Sequence, residues 1–319
     1  MESTGAGRRR ARRARRRPFA HTVLAVVAVA GVAAWGTVCV KARVHSGAGA
    51  VSSAAQPSAS SSAAAGEEAS VEPATSPSAV GRKELLSKAM ASVTVPSGAR
   101  VSAAVLELDS GESAAYGEAA FDTASIVKVD ILATLLLQAQ DAGRRLTAAE
   151  RAYATKMIEN SDNASATALW HTIGRAGGLD AANERFGLSA TSGGDGELWG
   201  LTQTTASDQL VLLQQVFGRE SLLSAASRTY VQALMKGVEA DQQWGVSAAA
   251  VGASWALKNG WMPRSATGLW DVNSIGRVTV DGAVFLVAVL SGGTVSQAQG
   301  ITLVEAAAKA AVTGFASGS

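Results

Sequence analysis

Residues 270–290 read WDVNSIGRVTVDGAVFLVAVL, two strand-forming runs joined by Asp281-Gly282. Trp270–Val280 and Ala283–Leu290 are rich in β-branched and aromatic residues, and an Asp-Gly pair between such runs is a strong signal for a tight hairpin turn. A third late strand is expected over Ser254–Met262. An earlier hairpin is signalled by Arg100–Leu108, the turn residues Asp109-Ser110-Gly111 and a short strand ending at Tyr116. Between these strand groups the apolar spacing turns helical. Ile126–Ala142 places Val127, Ile131, Leu135 and Leu136 on one face, and Thr147 with Glu150 forms a capping box for the next helix. Further helices are expected over Ala164–Ile173, Thr205–Val216, Ser224–Met235 and Gln297–Thr313. Strands at both ends with helices inserted between them predict an α+β fold. One antiparallel sheet is closed by the two ends of the domain, helices flank it, and an all-α lobe comes from the middle. A ligand site then falls in the cleft between lobe and sheet.

The chain has 319 residues, 47% hydrophobic and 17% charged, a globular profile. Its net charge of +2 is unevenly spread. Eight arginines lie between Arg8 and Arg17, and Lys41 and Arg43 follow, so residues beyond 43 carry 18 basic against 25 acidic groups, a net charge of −7. That balance argues against nucleic acid as a partner. Phe19–Val40 is a run of 22 residues without Lys, Arg, Asp or Glu, long enough to span a bilayer, and the preceding arginines fit the positive-inside rule. The expected order is a basic cytoplasmic tail (1–18), a transmembrane anchor or signal segment (19–40), a disordered Ser/Ala/Pro linker (41–80) and the folded domain (81–319). The run exceeds the usual length of a cleavable signal core, which favours an uncleaved anchor in a bacterial cell membrane with the domain extracytoplasmic; cleavage would instead leave the domain secreted. Cys39, the only cysteine, lies inside this run, so the domain has neither a disulfide nor a cysteine nucleophile.

Three short stretches carry the chemistry. Ser125-Ile126-Val127-Lys128 opens an apolar helix, Ser161-Asp162-Asn163 lies in a turn between helices, and Lys258-Asn259-Gly260 sits on a late strand. A lysine three residues after a serine stands one helical turn away on the same face. It can take the serine's proton if it is neutral, and the helix N-terminus together with a second cation, Lys258, would lower its pKa. Each stretch has an ordinary reading as helix cap, capping turn or solvated strand lysine; the three in this order are harder to dismiss. His171 is read as structural, within a packed helix. His21 and His45 lie outside the domain, which leaves no metal-ligand cluster, and no cofactor is expected.

These stretches match the S-x-x-K and S-D-N motifs and, with one letter changed, the K-T-G motif of the penicillin-recognising serine hydrolases. From about Arg82 to Ser317 the chain resembles a class A β-lactamase, within the β-lactamase and D-alanyl-D-alanine peptidase superfamily. The resemblance implies a five-stranded antiparallel sheet beside an all-helical lobe. It also implies Ser125 as nucleophile, Lys128 as its base, Ser161 as the hydroxyl that passes a proton to the departing nitrogen, and Lys258 as the cation that holds the substrate carboxylate. Asn163 would bond Lys128 and the substrate amide, and the N–H groups of Ser125 and Trp261 would form the oxyanion hole, beside Gly260.

The chain departs from the family in three places. The interval from Lys128 to Ser161 is short, which implies that a roofing loop is missing. Asn259 replaces a Thr or Ser, leaving an amide to donate to the substrate carboxylate. The E-x-x-L-N pattern of the deacylating glutamate is absent between Gly178 and Thr204, where Glu197, with Asp195 behind it, is the best stand-in and reads more readily as a solvated loop carboxylate. The expected function is an active-site-serine hydrolase, a monomer, acting on β-lactams with class A-like hydrolysis that is slow for want of this glutamate. The alternatives are a D-Ala-D-Ala peptidase or esterase acting on peptidoglycan stem peptides, a penicillin-binding sensor that traps β-lactams without turnover, and a catalytically silent domain.

Overall fold

The structure, a computed structural model, describes residues 77–317. The expected tail and anchor, and all but the last four residues of the expected linker, lie outside these residues. Among the described residues no helix is long and apolar enough to cross a membrane.

The first element is a helix, α1 (Pro77–Met90), which begins inside the stretch expected as linker. Strands β1 (Arg100–Glu107) and β2 (Ser113–Tyr116) form the early hairpin. The late strands β5 (Trp255–Pro263), β6 (Trp270–Val280) and β7 (Ala283–Thr294) complete a five-stranded antiparallel sheet in the order β2-β1-β7-β6-β5. The two ends of the domain therefore meet at the β1–β7 pairing, where Ala104 stands opposite Ala288. Asp281 and Gly282 have φ of 50° and 86°, the left-handed pair that a two-residue hairpin needs to match strand twist.

Strand β7 is buried on both faces, which explains why its sequence is a continuous apolar run rather than an alternating one. Val287 and Val289 join the core under α1 and the last helix, α8 (Gln297–Ala316). Leu286, Ala288 and Leu290 join the core of the helical lobe on the other side.

That lobe is organised on α2 (Val127–Asp141), where twelve of fifteen residues are buried. Around it stand α3 (Ala148–Glu159), α4 (Asn163–Thr172), α5 (Arg175–Phe186), α6 (Ala206–Phe217) and α7 (Ala225–Lys236). The capping box at α3 is complete: Glu150 N donates to Thr147 Oγ1 and Thr147 N donates to the Glu150 carboxylate. Two short strands, β3 (Phe121–Asp122) and β4 (Gln203–Thr204), pair beside the turn that carries Ser125.

Candidate active site

Ser125 lies in a 3₁₀ turn, Ala124–Ile126, that runs directly into α2. Ala124 is left-handed (φ 47°), an unfavourable state for a residue with a Cβ. The turn is held from the sheet, where Asn273 Nδ2 on β6 donates to the carbonyls of Asp122 (2.9 Å) and Thr123 (3.0 Å). It is also held by close approach of β5. A Cβ on Gly260 would lie 2.7 Å from Ser125 N and from Thr123 O, so only glycine lets the strand pass. This is the place where the resemblance puts an oxyanion hole.

Lys128, one turn into the lobe, donates from Nζ to Ser125 Oγ (2.9 Å), Ser161 O (2.6 Å), Ser161 Oγ (3.1 Å) and Asn163 Oδ1 (2.8 Å). Ser161, left-handed at φ 54°, turns both its carbonyl and its hydroxyl toward this lysine. Lys258 Nζ reaches the same hydroxyl at 3.0 Å from β5 and donates to the Asn259 carbonyl at 2.9 Å. The Ser161 hydroxyl thus bridges two lysines, both without exposed surface.

Burying two cations side by side disfavours charge on both. Burial lowers the Lys128 pKa to about 7, opposed by the nearby Asp162 carboxylate. Lys258 is pushed well below its ordinary range, first by burial and then by the charge of Lys128. The cause that lowers Lys128 is burial, not the helix N-terminus or Lys258 expected from the sequence; the charge effect between the two lysines falls on Lys258. A neutral Lys128 amine placed 2.9 Å from Ser125 Oγ is within reach to take its proton. Ser161 is placed to carry a proton between the lysines and a departing group.

Six of the eight expected site residues, Ser125, Lys128, Ser161, Asn163, Lys258 and Gly260, therefore meet in one cluster. Trp261 lines the cleft and packs its ring edge-on against Trp244, with centroids 5.8 Å apart. Asn259 corrects the expectation. It has no exposed surface, and its Nδ2 donates to the carbonyls of Gln242 (2.8 Å) and Trp244 (2.9 Å). Alternation along β5 sends this side chain to the face opposite Lys258, where it ties down a loop instead of meeting a substrate carboxylate.

The cleft encloses about 530 Å³. Its far wall comes from the loop before β4, with Glu197, Leu198, Trp199 and Leu201. The Glu197 carboxylate bonds His171 Nε2 (2.6 Å) and Arg175 (3.0 Å), and His171 foremost holds its pKa below the usual carboxylate range. His171 is thus exposed on α4 rather than packed in the core. Sequence reasoning missed three residues here. Trp199 lies with its ring centroid 5.1 Å from Lys128 Nζ, Thr167 Oγ1 accepts the Trp199 indole N–H at 3.1 Å, and Arg264 pairs with Asp122 at the cleft edge. The only signal for Trp199 was its place beside Glu197 in the stretch read for a carboxylate. Among the described residues no group of three or more His, Cys, Asp or Glu side chains is arranged to hold a metal ion.

A serine served by an amine rather than by an imidazole marks one class of active-site-serine hydrolases, those that open amide bonds without a histidine. The chain belongs to the beta-lactamase enzyme family, whose profile matches residues 149–315 and so takes in Ser161, Asn163 and Lys258. At family level it is a serine hydrolase related to the enzymes that act on β-lactams. No curated protein matches it in sequence. Its fold is similar to that of a mutant of PBP-A, solved as an acyl-enzyme complex with penicillin G, at TM-score 0.63 and 20% identity over 73% of this chain and 97% of that one. It is also similar to a class A beta-lactamase from Bacteroides cellulosilyticus (TM-score 0.64, 16% identity, 74% and 99% covered). A beta lactamase from Xanthomonas campestris gives TM-score 0.60 and 20% identity, with 72% and 97% covered.

Proposed function

We propose that the domain is acylated at Ser125 by β-lactams and releases the opened product slowly, as a class A-like hydrolase with a weak second step. The observation that carries this reading is the Lys128 Nζ position, 2.9 Å from Ser125 Oγ and 3.1 Å from Ser161 Oγ. Lys128 takes the hydroxyl proton as Ser125 Oγ adds to the lactam carbonyl. Ser161, between Lys128 and Lys258, delivers a proton to the ring nitrogen as the C–N bond breaks. The backbone N–H groups of Ser125 and Trp261 face the developing oxyanion, and Lys258 holds the substrate carboxylate, whose negative charge favours the protonated amine there. The reading further places the domain outside the cytoplasmic membrane, anchored by residues 19–40 and acting as a monomer, with β-lactams or peptidoglycan stem peptides as its small-molecule partners.

A second reading, a D-Ala-D-Ala peptidase or esterase, or a sensor that keeps its adduct, is favoured by one feature. Glu197 is committed to His171 and Arg175 rather than to Lys128. Both readings share acylation at Ser125. Intact mass of residues 81–319 with excess benzylpenicillin tests them. An adduct that turns over while penicilloate accumulates supports the slow hydrolase, and a lasting adduct without penicilloate supports the peptidase or sensor. Absence of both rejects β-lactams as substrates.

A further inference from the structure

The loop before β4 is closed at its base and pinned at its tip. Ser192 and Gln203 exchange backbone hydrogen bonds of 3.0 Å each way, and Gly194 N donates to Thr202 Oγ1 at 3.1 Å. The intervening residues reach across to α4 and the start of α5 through four side chains of those helices. Trp170 Nε1 donates to Gly196 O (2.8 Å), His171 and Arg175 hold Glu197, and Thr167 holds the Trp199 indole. Surface loops are seldom tied down so heavily, and what the ties seat is the Trp199 ring against Lys128. Serine and asparagine oxygens occupy the polar side of Lys128 Nζ, and the indole face occupies the side toward the loop.

We propose that Trp199 is a positioning residue that seals Lys128 from solvent and thereby prolongs the life of the acyl group on Ser125. The proposal rests on acylation at Ser125 as read above. Hydrolysis of that ester requires a water to add to the acyl carbonyl and surrender a proton to a base. The carbonyl carbon–Oγ bond then breaks, and Oγ takes a proton back. Lys128 is the base nearest Ser125 Oγ, and a water that would use it must enter where the indole lies. The same ring keeps the amine dry and so favours its neutral form. The ring face also attracts an ammonium, but by only about 0.5–2 kcal/mol. A hydrated amine therefore holds its proton more tightly than one sealed under the indole. The charged groups facing Lys128 are Lys258 from β5 and Asp162 from the turn before α4. Glu197, on the loop itself, is held by His171 and Arg175, and Asp130, farther along α2, is bonded to Asn183 on α5.

The test uses the full chain and the variants Trp199→Ala, Trp199→Phe and Thr167→Val. Each is pulsed with benzylpenicillin, freed of excess and followed by intact mass. In parallel, the Lys128 side chain is titrated by ¹³C NMR in protein carrying ¹³Cε-lysine, its signal assigned with Lys128→Met. Because the neutral amine is the base, lifetimes are compared above the amine's titration in each protein, where Trp199→Ala is expected to lose its adduct about tenfold faster than the parent. Its Lys128 titration should move up, Trp199→Phe should stay near the parent, and Thr167→Val should fall between. Equal adduct lifetimes in parent and a folded Trp199→Ala overturn the proposal. If Trp199→Ala does not fold, Thr167→Val decides on the same reading, and an unchanged lifetime there overturns it. If the parent is never acylated, the hydrolase reading fails, and the titration alone decides: an unmoved Lys128 in Trp199→Ala overturns the seal, and an upward shift sustains it.

Discussion

On the strand-and-α2 side of the cleft Lys128 and Lys258 have no exposed surface, and their amines contact Ser125, Ser161, Asn163 and the Asn259 carbonyl. On the loop side Glu197 keeps 52% of its side chain exposed and meets its partners, His171 and Arg175, in water. The first wall accepts the cost of burying ionisable groups, and what it gains is a base poised near neutrality. The second wall pays little and holds its carboxylate as a permanent anion, a poor proton acceptor. One cleft thus contrasts a tuned side and an untuned one, and in the proposed function it is the tuned side that serves acylation.

The contrast can be broken first at its strongest point. Ser125→Ala is expected to abolish adduct formation, and Lys128→Met to slow it by on the order of 10²–10⁴, read as the rate of benzylpenicillin labelling. Labelling that survives Lys128→Met at near-parent rate would mean that the amine is not the base. The pH profile sharpens the same side. Acylation should fall about tenfold per pH unit below about 7, as Lys128 takes up a proton and ceases to accept one from Ser125.

Next in size, Gly260→Ala drives a methyl against Ser125 N and Thr123 O and should cost about 1–3 kcal/mol, seen as a lower denaturation midpoint together with slower labelling.

Stability should carry the mark of the buried groups in two opposite slopes. Asp130, buried in α2, is raised to about 7, chiefly by desolvation, so its contribution is full below its ordinary 3.8 and is lost as pH rises through about 7. Lys128 is lowered from 10.5 to about 7, so its contribution is present above 10.5 and is lost as pH falls through about 7. Asp130 Oδ1 and Asn183 Oδ1 are both buried without a partner, while Asn183 Nδ2 donates to Asp130 Oδ2 at 3.0 Å. A proton on Asp130, or the amide of Asp130→Asn, supplies the second bond of that pair. Asp130→Asn should therefore raise the unfolding free energy at pH 8 by about 1–3 kcal/mol, seen as a higher denaturation midpoint, and change little at pH 5. At the weak end, Glu197→Gln should leave the melting temperature unresolved from the parent, and a clear drop would erase the distinction between the walls.

The sheet was legible because its strands obey period and turn chemistry. Trp270–Val280 was read at its observed bounds, and Asp281-Gly282 takes the left-handed pair its residues favour. Helix α5 was not legible. No helix is expected there from the sequence, and Gly177 and Gly178 disfavour one, yet Gly178 is there because a Cβ would sit 1.7 Å from Ile173 O. Packing demanded a residue whose local preference points the other way. Helix α1 was missed in part because its first turn, Pro77–Val80, has the composition of the linker before it.

In the site, the three motifs named the residues that meet. Spacing gave Lys128 one turn after Ser125, but no spacing rule brings Ser161 or Lys258 to the same hydroxyl. Asn259 was misplaced because the motif was followed by letter and not by strand alternation. Trp199 had no signal beyond its place near Glu197, since an aromatic residue in a loop carries no mark of the amine it will cover.

Helices α1 and α8 lie against each other: Arg82 donates to the Phe315 carbonyl at 2.7 Å and lays its guanidinium 4.8 Å from the Phe315 ring centroid, while Gly314 leaves room for Ala89. The described fold is in this respect nearly a ring, with its first and last turns side by side. A short bridge across that seam and new ends cut at Asp281-Gly282 would rewire the order of the chain while keeping its contacts, so the hairpin is a natural place to insert a reporter or open a permuted version of the domain.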